Sequence, residues 1–223
     1  MVLLLIQWKI HDSFFLNQLF QNLVTFGKKA RMARTVEFDQ HQAIEKALDV
    51  FWRKGYNGTS MRDLTDAMQI NSSSLYNTLG DKHQLFVQCI KHYTKRRRAL
   101  LEERAKAFDS PLKALESFIN DVADVVIKDA QGCFAIKTAF EVSPEDKAIQ
   151  ALLKDDNDFT HTFLYTLIRE AVEQGAMNED TDPDLLADYI ISTYTGWYEL
   201  YILHKDPAKI KQLAAFMVRQ LLR

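Results

Sequence analysis

The sequence predicts an all-α protein of about nine helices, and three observations support this prediction. From Phe38 onward, apolar residues recur with the spacing of helix faces. Glycine and proline number only 7 and 4 in 223 residues, whereas a β-sandwich or barrel needs turn residues every ten or so positions. Finally, each interruption of the helical pattern carries a residue that typically caps or ends a helix.

The first three predicted helices lie between Phe38 and residue 79. The first ends at Lys54, before Gly55, a typical helix-terminating glycine. Its apolar face consists of Ile44, Ala47, Leu48 and Phe51. Ser60 is suited to cap the second helix, and residues 69–71 separate it from a short third helix. Leu75 and Leu79 are expected to face inward from that third helix.

Six further helices are predicted after Gly80. Asp81 is suited to cap a long helix from Lys82 to about Lys106, and a short helix follows Gly132. Four others begin where serine or aspartate precedes proline, because proline suits the first helical position. The predicted ranges are 82–106, 111–130, 133–142, 144–174, 183–204 and 207 to the C-terminus.

Charge is distributed unevenly along the chain, although the formal net charge is only −2. Residues 28–98 hold 14 Lys and Arg against 7 Asp and Glu, whereas residues 99–223 hold 13 against 22. This asymmetry favours an anionic partner for the front of the chain.

The two cysteines cannot form a disulfide framework or a four-cysteine zinc site. No metal site, cofactor or enzyme activity is expected, since common catalytic motifs such as HExxH and GxSxG are absent.

Residues 60–79 have the pattern of a helix-turn-helix, in which two short helices flank a three-residue turn. The outward face of the second helix is almost entirely small and polar: Ser72, Ser73, Ser74, Asn77 and Thr78, with the phenol of Tyr76. Serine is a poor choice inside a helix, but short hydroxyls suit a helix that lies against base edges and phosphates. An ordinary solvent-exposed helix of a bundle is the alternative.

A longer pattern surrounds this motif and resembles the TetR family of bacterial transcriptional regulators. The matching positions within residues 38–86 are Ala43, Ile44, Leu48, Phe51, Gly55-Tyr56, Thr59-Ser60-Met61, Leu64, Ile70, Ser74-Leu75-Tyr76, Asp81-Lys82 and Leu85-Phe86. The resemblance implies a DNA-binding domain over 36–96 and a ligand-binding and dimerisation domain over 97–223. Residues 1–31 are interpreted as an N-terminal extension, with the natural start at Met32, because family members begin shortly before the first helix.

The resemblance also implies a function. The protein is expected to be a cytoplasmic repressor that binds a palindromic operator in double-stranded DNA as a homodimer. A small-molecule or electrophilic inducer, or modification of Cys133, would shift the long helix 82–106 and release the DNA. The residues expected to contact DNA are Ser60, Met61, Arg62, Ser72, Ser73, Ser74, Tyr76, Asn77, Thr78 and Lys82. Tyr76 as a core residue and Lys82 as a plain surface lysine are the alternatives.

The predicted inducer pocket and dimer interface lie in the acidic half. The pocket or sensor residues are expected to be Cys133, Phe134, Phe163, Tyr194 and Trp197, and ordinary core packing is the alternative for most of the aromatic residues. Cys133 follows Gly132 at a helix start, where the helix dipole lowers a thiol pKa, although a buried packing role is the alternative. The resemblance implies a dimer interface that includes Tyr189, Ile190, Trp197, Leu213 and Met217 from the last two helices, and the chain's own core is the alternative for part of this face.

Two other features allow more than one interpretation. The basic run from Lys95 to Arg98 is expected to be a solvated helix face paired with Glu102 and Glu103, rather than a DNA contact. The apolar residues 1–26 allow a second function, in which the protein associates with a membrane surface through this segment. That alternative does not account for residues 60–82, and no membrane partner is expected.

Overall fold

A computed structural model describes residues 38–128 and 132–221, which form nine helices and no strand. The predicted all-α fold class is therefore confirmed for the described residues. The predictions for residues 1–31 and for a membrane anchor at 1–26 lie outside them. The helices are α1 (Gln40–Lys54), α2 (Met61–Met68), α3 (Ser72–Leu79), α4 (Lys82–Ala105), α5 (Pro111–Lys128), α6 (Phe134–Glu141), α7 (Lys147–Glu173), α8 (Pro183–His204) and α9 (Pro207–Leu221).

Local capping defines the two helices of the helix-turn-helix. The Ser60 hydroxyl accepts the Asp63 N–H at 3.1 Å, and the Asp63 carboxylate accepts the Ser60 N–H at 2.9 Å. This reciprocal capping box satisfies two backbone donors at the start of α2. Gln69 ends α2 with φ +58°, and the Asn71 side chain then caps α3 by accepting the Ser74 N–H at 2.7 Å. The direction of α3 thus follows from short-range hydrogen bonds.

The long helix α4 packs against α1 near its start and against α7 further along. Its first turns bury Leu85 and Phe86 beneath α1, where the rings of Phe51 and Phe86 lie 4.8 Å apart. Its later turns pack on α7. The predicted boundary at residue 96 falls inside this helix, so the division into two domains stays a prediction.

Helices α5, α7, α8 and α9 together bury an apolar core cluster. Helix α8 packs on α7, and α9 packs on α5. The fully or nearly fully buried members include Leu115, Ile119, Leu164, Ile168, Ile190, Trp197, Ile210 and Met217. None of the described helices combines the length and the apolar character needed to cross a bilayer.

The predicted start of α7 at Pro144 is wrong, because this helix begins at Lys147. Asp146 is the actual N-cap and accepts the Ile149 N–H at 3.2 Å. Ser143 instead closes a separate turn, in which its carbonyl accepts the Asp146 N–H at 3.0 Å. Because the Asp146 side chain makes the capping hydrogen bond, the helix begins directly after Asp146. Proline suits a first helical turn, but Pro144 lies before this cap.

Candidate nucleic-acid interface and ligand cavity

Helix α3 presents its polar face outward. Leu75 and Leu79 are buried beneath it, whereas Ser72, Ser73, Asn77 and Thr78 are exposed and Ser74 is half-buried. The Tyr76 side chain is 51% exposed, so it is not a core residue. The structure therefore brings the predicted α3 residues together on one accessible surface.

The serine hydroxyls on this surface have different neighbours. The Ser73 hydroxyl donates to the Asn71 side chain at 2.7 Å, which holds it at the N-terminus of α3. The Ser60 hydroxyl donates to Asp63 at 2.7 Å and so belongs to the α2 cap. Hydrogen bonds from Lys54 and then from Ser60 hold the pKa of the Asp63 carboxyl well below its usual range. Ser60 is thus a capping residue first, and any phosphate contact must include the adjacent backbone.

Three predicted residues flank this surface. Arg62 is highly exposed and makes a long ion pair of 3.7 Å with Asp66, and Met61 is partly buried. The Lys82 ammonium lies 4.5 Å from the centre of the Tyr56 ring, a cation–π contact that holds it at the start of α4. Arg62 on α2 is therefore accessible to solvent, and Lys82 lies at the start of the helix that follows α3.

A cavity of about 1160 Å³ lies among α4 to α8 and also reaches α1 through Trp52. Three of the predicted pocket residues line it: Cys133, Phe163 and Tyr194. Phe134 does not, because it is 2% exposed and packs against Trp52, Phe86 and Tyr93. Trp197 does not line the cavity either, since it is buried in the core cluster. The assignments of Phe134 and Trp197 to the pocket are therefore wrong.

A buried ion pair in the cavity wall was missed by sequence reasoning. The Arg97 guanidinium donates to Asp156 at 2.8 Å and to the Thr160 hydroxyl at 2.5 Å. Burial alone would lower the pKa of Arg97, but the Asp156 charge raises it overall. Among residues 38–128 and 132–221, Arg97 Nε and Asp156 Oδ1 are buried and have no hydrogen-bond partner. These residues form a buried polar side of a cavity that is also lined by apolar side chains, such as Phe118 and Phe163, and by further charged groups.

The basic run on α4 therefore has partners other than those predicted. Arg96 pairs with Glu45 at 2.9 Å, Arg97 with Asp156, and Arg98 with Asp155 at 2.8 Å. The expected pairing with Glu102 and Glu103 along the helix is wrong. The acidic partners lie on α1 and α7, and spacing along a single helix does not predict contacts with other helices.

Two phenols complete the polar side of the cavity. The Tyr93 hydroxyl lies 3.3 Å from the Cys133 sulfur. Burial raises the pKa of both Tyr93 and Tyr194, so both hydroxyls stay protonated at neutral pH and are available as donors. The second cysteine, Cys89, is fully buried on α4, and burial raises the pKa of its thiol.

Helix α6 connects the cavity wall to the first helix. The Trp52 indole N–H donates to the Gly132 carbonyl at 2.7 Å, and the Lys137 ammonium donates to the Trp52 carbonyl at 2.7 Å. The Glu141 carboxylate accepts the backbone N–H groups of Tyr56 at 2.9 Å and Asn57 at 2.7 Å. The turn between α1 and α2 is therefore held by an acidic residue 84 positions away.

The predicted dimer residues do not form one surface. Ile190, Trp197 and Met217 are buried within the chain's own core, so their assignment to the interface is wrong. Leu213 is partly buried, and Tyr189 is exposed. The exposed apolar residues on α8 and α9 are Leu185, Tyr189, Leu200, Ile202, Leu203 and Phe216. The amphipathic pattern alone does not distinguish the inner from the outer face, because both faces of α8 are apolar.

Comparisons with known proteins agree with this architecture. Residues 43–89 match the family described as bacterial regulatory proteins, tetR family, and residues 111–217 match the tetracyclin repressor-like C-terminal domain. The chain is 32% identical over 163 residues to the uncharacterized HTH-type transcriptional regulator YezE of Bacillus subtilis (strain 168), covering 71% of this chain and 84% of that protein.

Two other relatives are informative. The HTH-type transcriptional repressor DhaR of Mycobacterium sp. (strain GP1) is 29% identical over 167 residues, covering 74% of this chain and 82% of that protein. A cysteine variant of the TetR family transcriptional regulator CifR, solved with 26-bp double-strand operator DNA, superimposes with a TM-score of 0.73. It is 24% identical, and the match covers 82% of this chain and 97% of that one, which supports the fold.

Proposed function

The chain belongs to the tetR family of bacterial regulatory proteins, and from that premise we propose that it is a ligand-responsive repressor. In this proposal it binds a palindromic operator as a homodimer in the cytoplasm. The observation that carries the proposal is the exposed polar face of α3 above the buried Leu75 and Leu79. Related repressors and the operator complex of CifR support the DNA partner.

The α3 face suits the major groove of DNA. Its short hydroxyl and amide groups reach base edges and phosphates, and Tyr76 and Lys82 supply phosphate contacts from its edge. The face contains no Arg or Gln that would form a bidentate contact with one base. Specificity would therefore combine several short contacts with DNA shape.

The cavity suits an uncharged, largely apolar inducer that carries a hydrogen-bond acceptor such as a carbonyl. Asp156 balances the charge of Arg97, so the polar side offers donors without a net positive charge. Tyr93 and Tyr194 add hydroxyl donors beside it, and the thiol of Cys133 is available to an electrophilic ligand. Because α4 both lines the cavity and begins at Lys82, a ligand that favours a displaced α4 would reduce DNA affinity.

The homodimer would use the outer face of α8 and α9. Leu185, Tyr189 and Leu200 recur along α8, and the exposed Phe216 stands on α9. Gly196 has open space where a Cβ would stand, which permits a partner helix to approach closely. Size-exclusion chromatography with light scattering tests this proposal by measuring the molar mass. A Leu200→Asp/Tyr189→Asp variant is expected to have the mass of a monomer, 25.8 kDa. A wild-type chain that is monomeric at micromolar concentration contradicts the dimer.

DNA binding is tested by selecting bound fragments from the host genome and measuring one of them by fluorescence polarisation. Lys82→Ala is expected to reduce the slope of log affinity against log salt by about one, as for one lost phosphate contact. Lys209→Ala is the matched control, because that lysine is exposed on α9, which does not belong to the helix-turn-helix. The double variant Tyr76→Ala/Lys82→Ala is expected to bind a selected and a scrambled duplex equally. A wild-type protein that does not distinguish the two duplexes refutes the proposed function.

A further inference from the structure

Three metal-ligating side chains meet where α1 packs on the middle of α4. His41 and Glu45 lie four residues apart, on one face of α1, and His92 faces them from α4. The His92 Nε2 atom lies 3.0 Å from a Glu45 oxygen, and the His41 and His92 rings meet edge to face with centroids 4.8 Å apart. None of the three lines the cavity or belongs to the α3 surface.

The distances are close to those of a coordination sphere. One donor atom from each of the three residues lies within 4.8 Å of the others. Ligands bound at about 2.0–2.1 Å around a tetrahedral zinc ion are separated by about 3.4 Å. Because two helix backbones already bring the groups together, only side-chain rotation is needed to close the remaining distance. His41 is at the surface, so an ion has an entry path.

A positive charge already stands beside this cluster. The Arg96 guanidinium donates to the Glu45 oxygen that also faces His92, at 2.9 Å. The Arg96 side chain is 65% exposed and has room to turn toward solvent. A divalent ion would therefore replace Arg96 as the cation bound to Glu45, and Arg96 is expected to compete with it.

We propose that His41, Glu45 and His92 bind a divalent first-row transition ion, represented by Zn²⁺, with water completing its coordination. Two imidazoles and one carboxylate suit zinc and its neighbours, whereas calcium and magnesium prefer oxygen donors. The ion would cross-link α1 of the helix-turn-helix unit to α4 and so stabilise their packing. This proposal depends on the α1–α4 contact and not on DNA binding.

A similar group on α7 and α8 supplies a matched control. His161 lies 3.3 Å from Asp184 and 3.7 Å from Asp188, so this group has one imidazole and two highly exposed carboxylates. Its donor atoms also lie within 4.8 Å of one another, but it lacks a second nitrogen donor. His161→Ala is therefore expected to leave zinc binding at the first group unchanged.

The experiment is a Zn²⁺ titration of the full chain without an affinity tag, in competition with a chromophoric chelator. Wild type is expected to bind one Zn²⁺ ion tightly, and His92→Ala and Glu45→Gln are each expected to weaken it by at least about tenfold. Arg96→Gln is expected to strengthen binding, because it removes the competing cation. Co²⁺ gives an independent readout, since visible absorption that is lost in His92→Ala reports nitrogen coordination.

Circular dichroism establishes that each variant retains its helices. If His92→Ala does not fold, Glu45→Gln carries the test, because the Glu45 side chain is 42% exposed. Zinc binding that is lost in His92→Ala or Glu45→Gln but kept in His161→Ala supports the site. Equal binding by all variants, or no binding by wild type at micromolar Zn²⁺, overturns it. Because neither readout includes DNA, failure here is distinct from failure of the proposed repressor function.

Discussion

Replacing Glu141 with Gln is expected to destabilise the contact between α6 and the turn after α1. The carboxylate accepts two backbone N–H groups, from Tyr56 and Asn57. A hydrogen bond to a charged group contributes about 1.5–3 kcal/mol, compared with about 0.5–1.5 kcal/mol for a neutral one. Glutamine keeps one oxygen acceptor but turns its NH₂ group toward the other N–H. The hydrogen bond to the Asn57 N–H is exposed, so water is able to replace it. The free energy of unfolding is therefore expected to fall by about 1–2 kcal/mol.

The assay is urea unfolding followed by circular dichroism, with the melting temperature as a second measure. For a chain of this size, each kcal/mol corresponds to about 2–4 °C in Tm. Glu145→Gln is the matched control, because its side chain is 87% exposed and its nearest cation, on Lys147, is 3.9 Å away. That control is expected to change the free energy of unfolding by less than about 0.5 kcal/mol. Equal stability of the two variants refutes the assigned role of Glu141.

Three other predictions concern the buried carboxylate of Asp156, the exposure of the two cysteines and the capping carboxylate of Asp63. Asp156→Asn is expected to lower the free energy of unfolding by about 3–5 kcal/mol in urea titration, because two arginines lose their buried counter-ion. Asp155→Asn, at an exposed carboxylate, is expected to cost less than about 1 kcal/mol, and equal losses contradict the reasoning. Iodoacetamide is expected to alkylate Cys133 and spare the fully buried Cys89, whose thiol pKa is raised by burial, so equal labelling in peptide mass spectrometry counts against the structure. Hydrogen bonds from Lys54 and then from Ser60 lower the pKa of the Asp63 carboxyl in the folded state. The ionised carboxylate therefore contributes fully to the free energy of unfolding above the unfolded pKa of about 3.9, and this contribution is lost as the pH falls through the lower folded pKa. The Tm of Asp63→Asn is therefore expected to fall less steeply in acid than that of wild type.

Local sequence was sufficient for the number and order of the described helices and for the helix-turn-helix surface. The Ser60 cap, the turn at 69–71 and the inward positions of Leu75 and Leu79 depend on residues only a few positions apart. The exposure of Tyr76 and its polar neighbours follows from the same helical period. The predicted start of α7 was wrong because two residues suited to cap a helix, Ser143 and Asp146, lie three positions apart and compete.

Other features depend on which helices pack together. Arg97 and Asp156 are 59 positions apart, and Glu141 and Tyr56 are 85 apart, so no periodicity relates them. The polar run around Asp156 and the basic run on α4 were visible signals, but neither identifies its partner. Trp197 shows the same limit, because α8 is apolar on both faces and only its packing on α5 and α7 decides which face is buried.

The all-α class, the helix-turn-helix and the family were predictable from the sequence, since each depends on spacing within one or a few neighbouring helices. The cavity wall, the partners of the basic run and the outward face of α8 and α9 instead depend on how distant helices pack together. The physical reason is that a buried charge or an apolar face is satisfied by any suitable group that the fold brings near. Helix packing, rather than distance along the chain, selects that group.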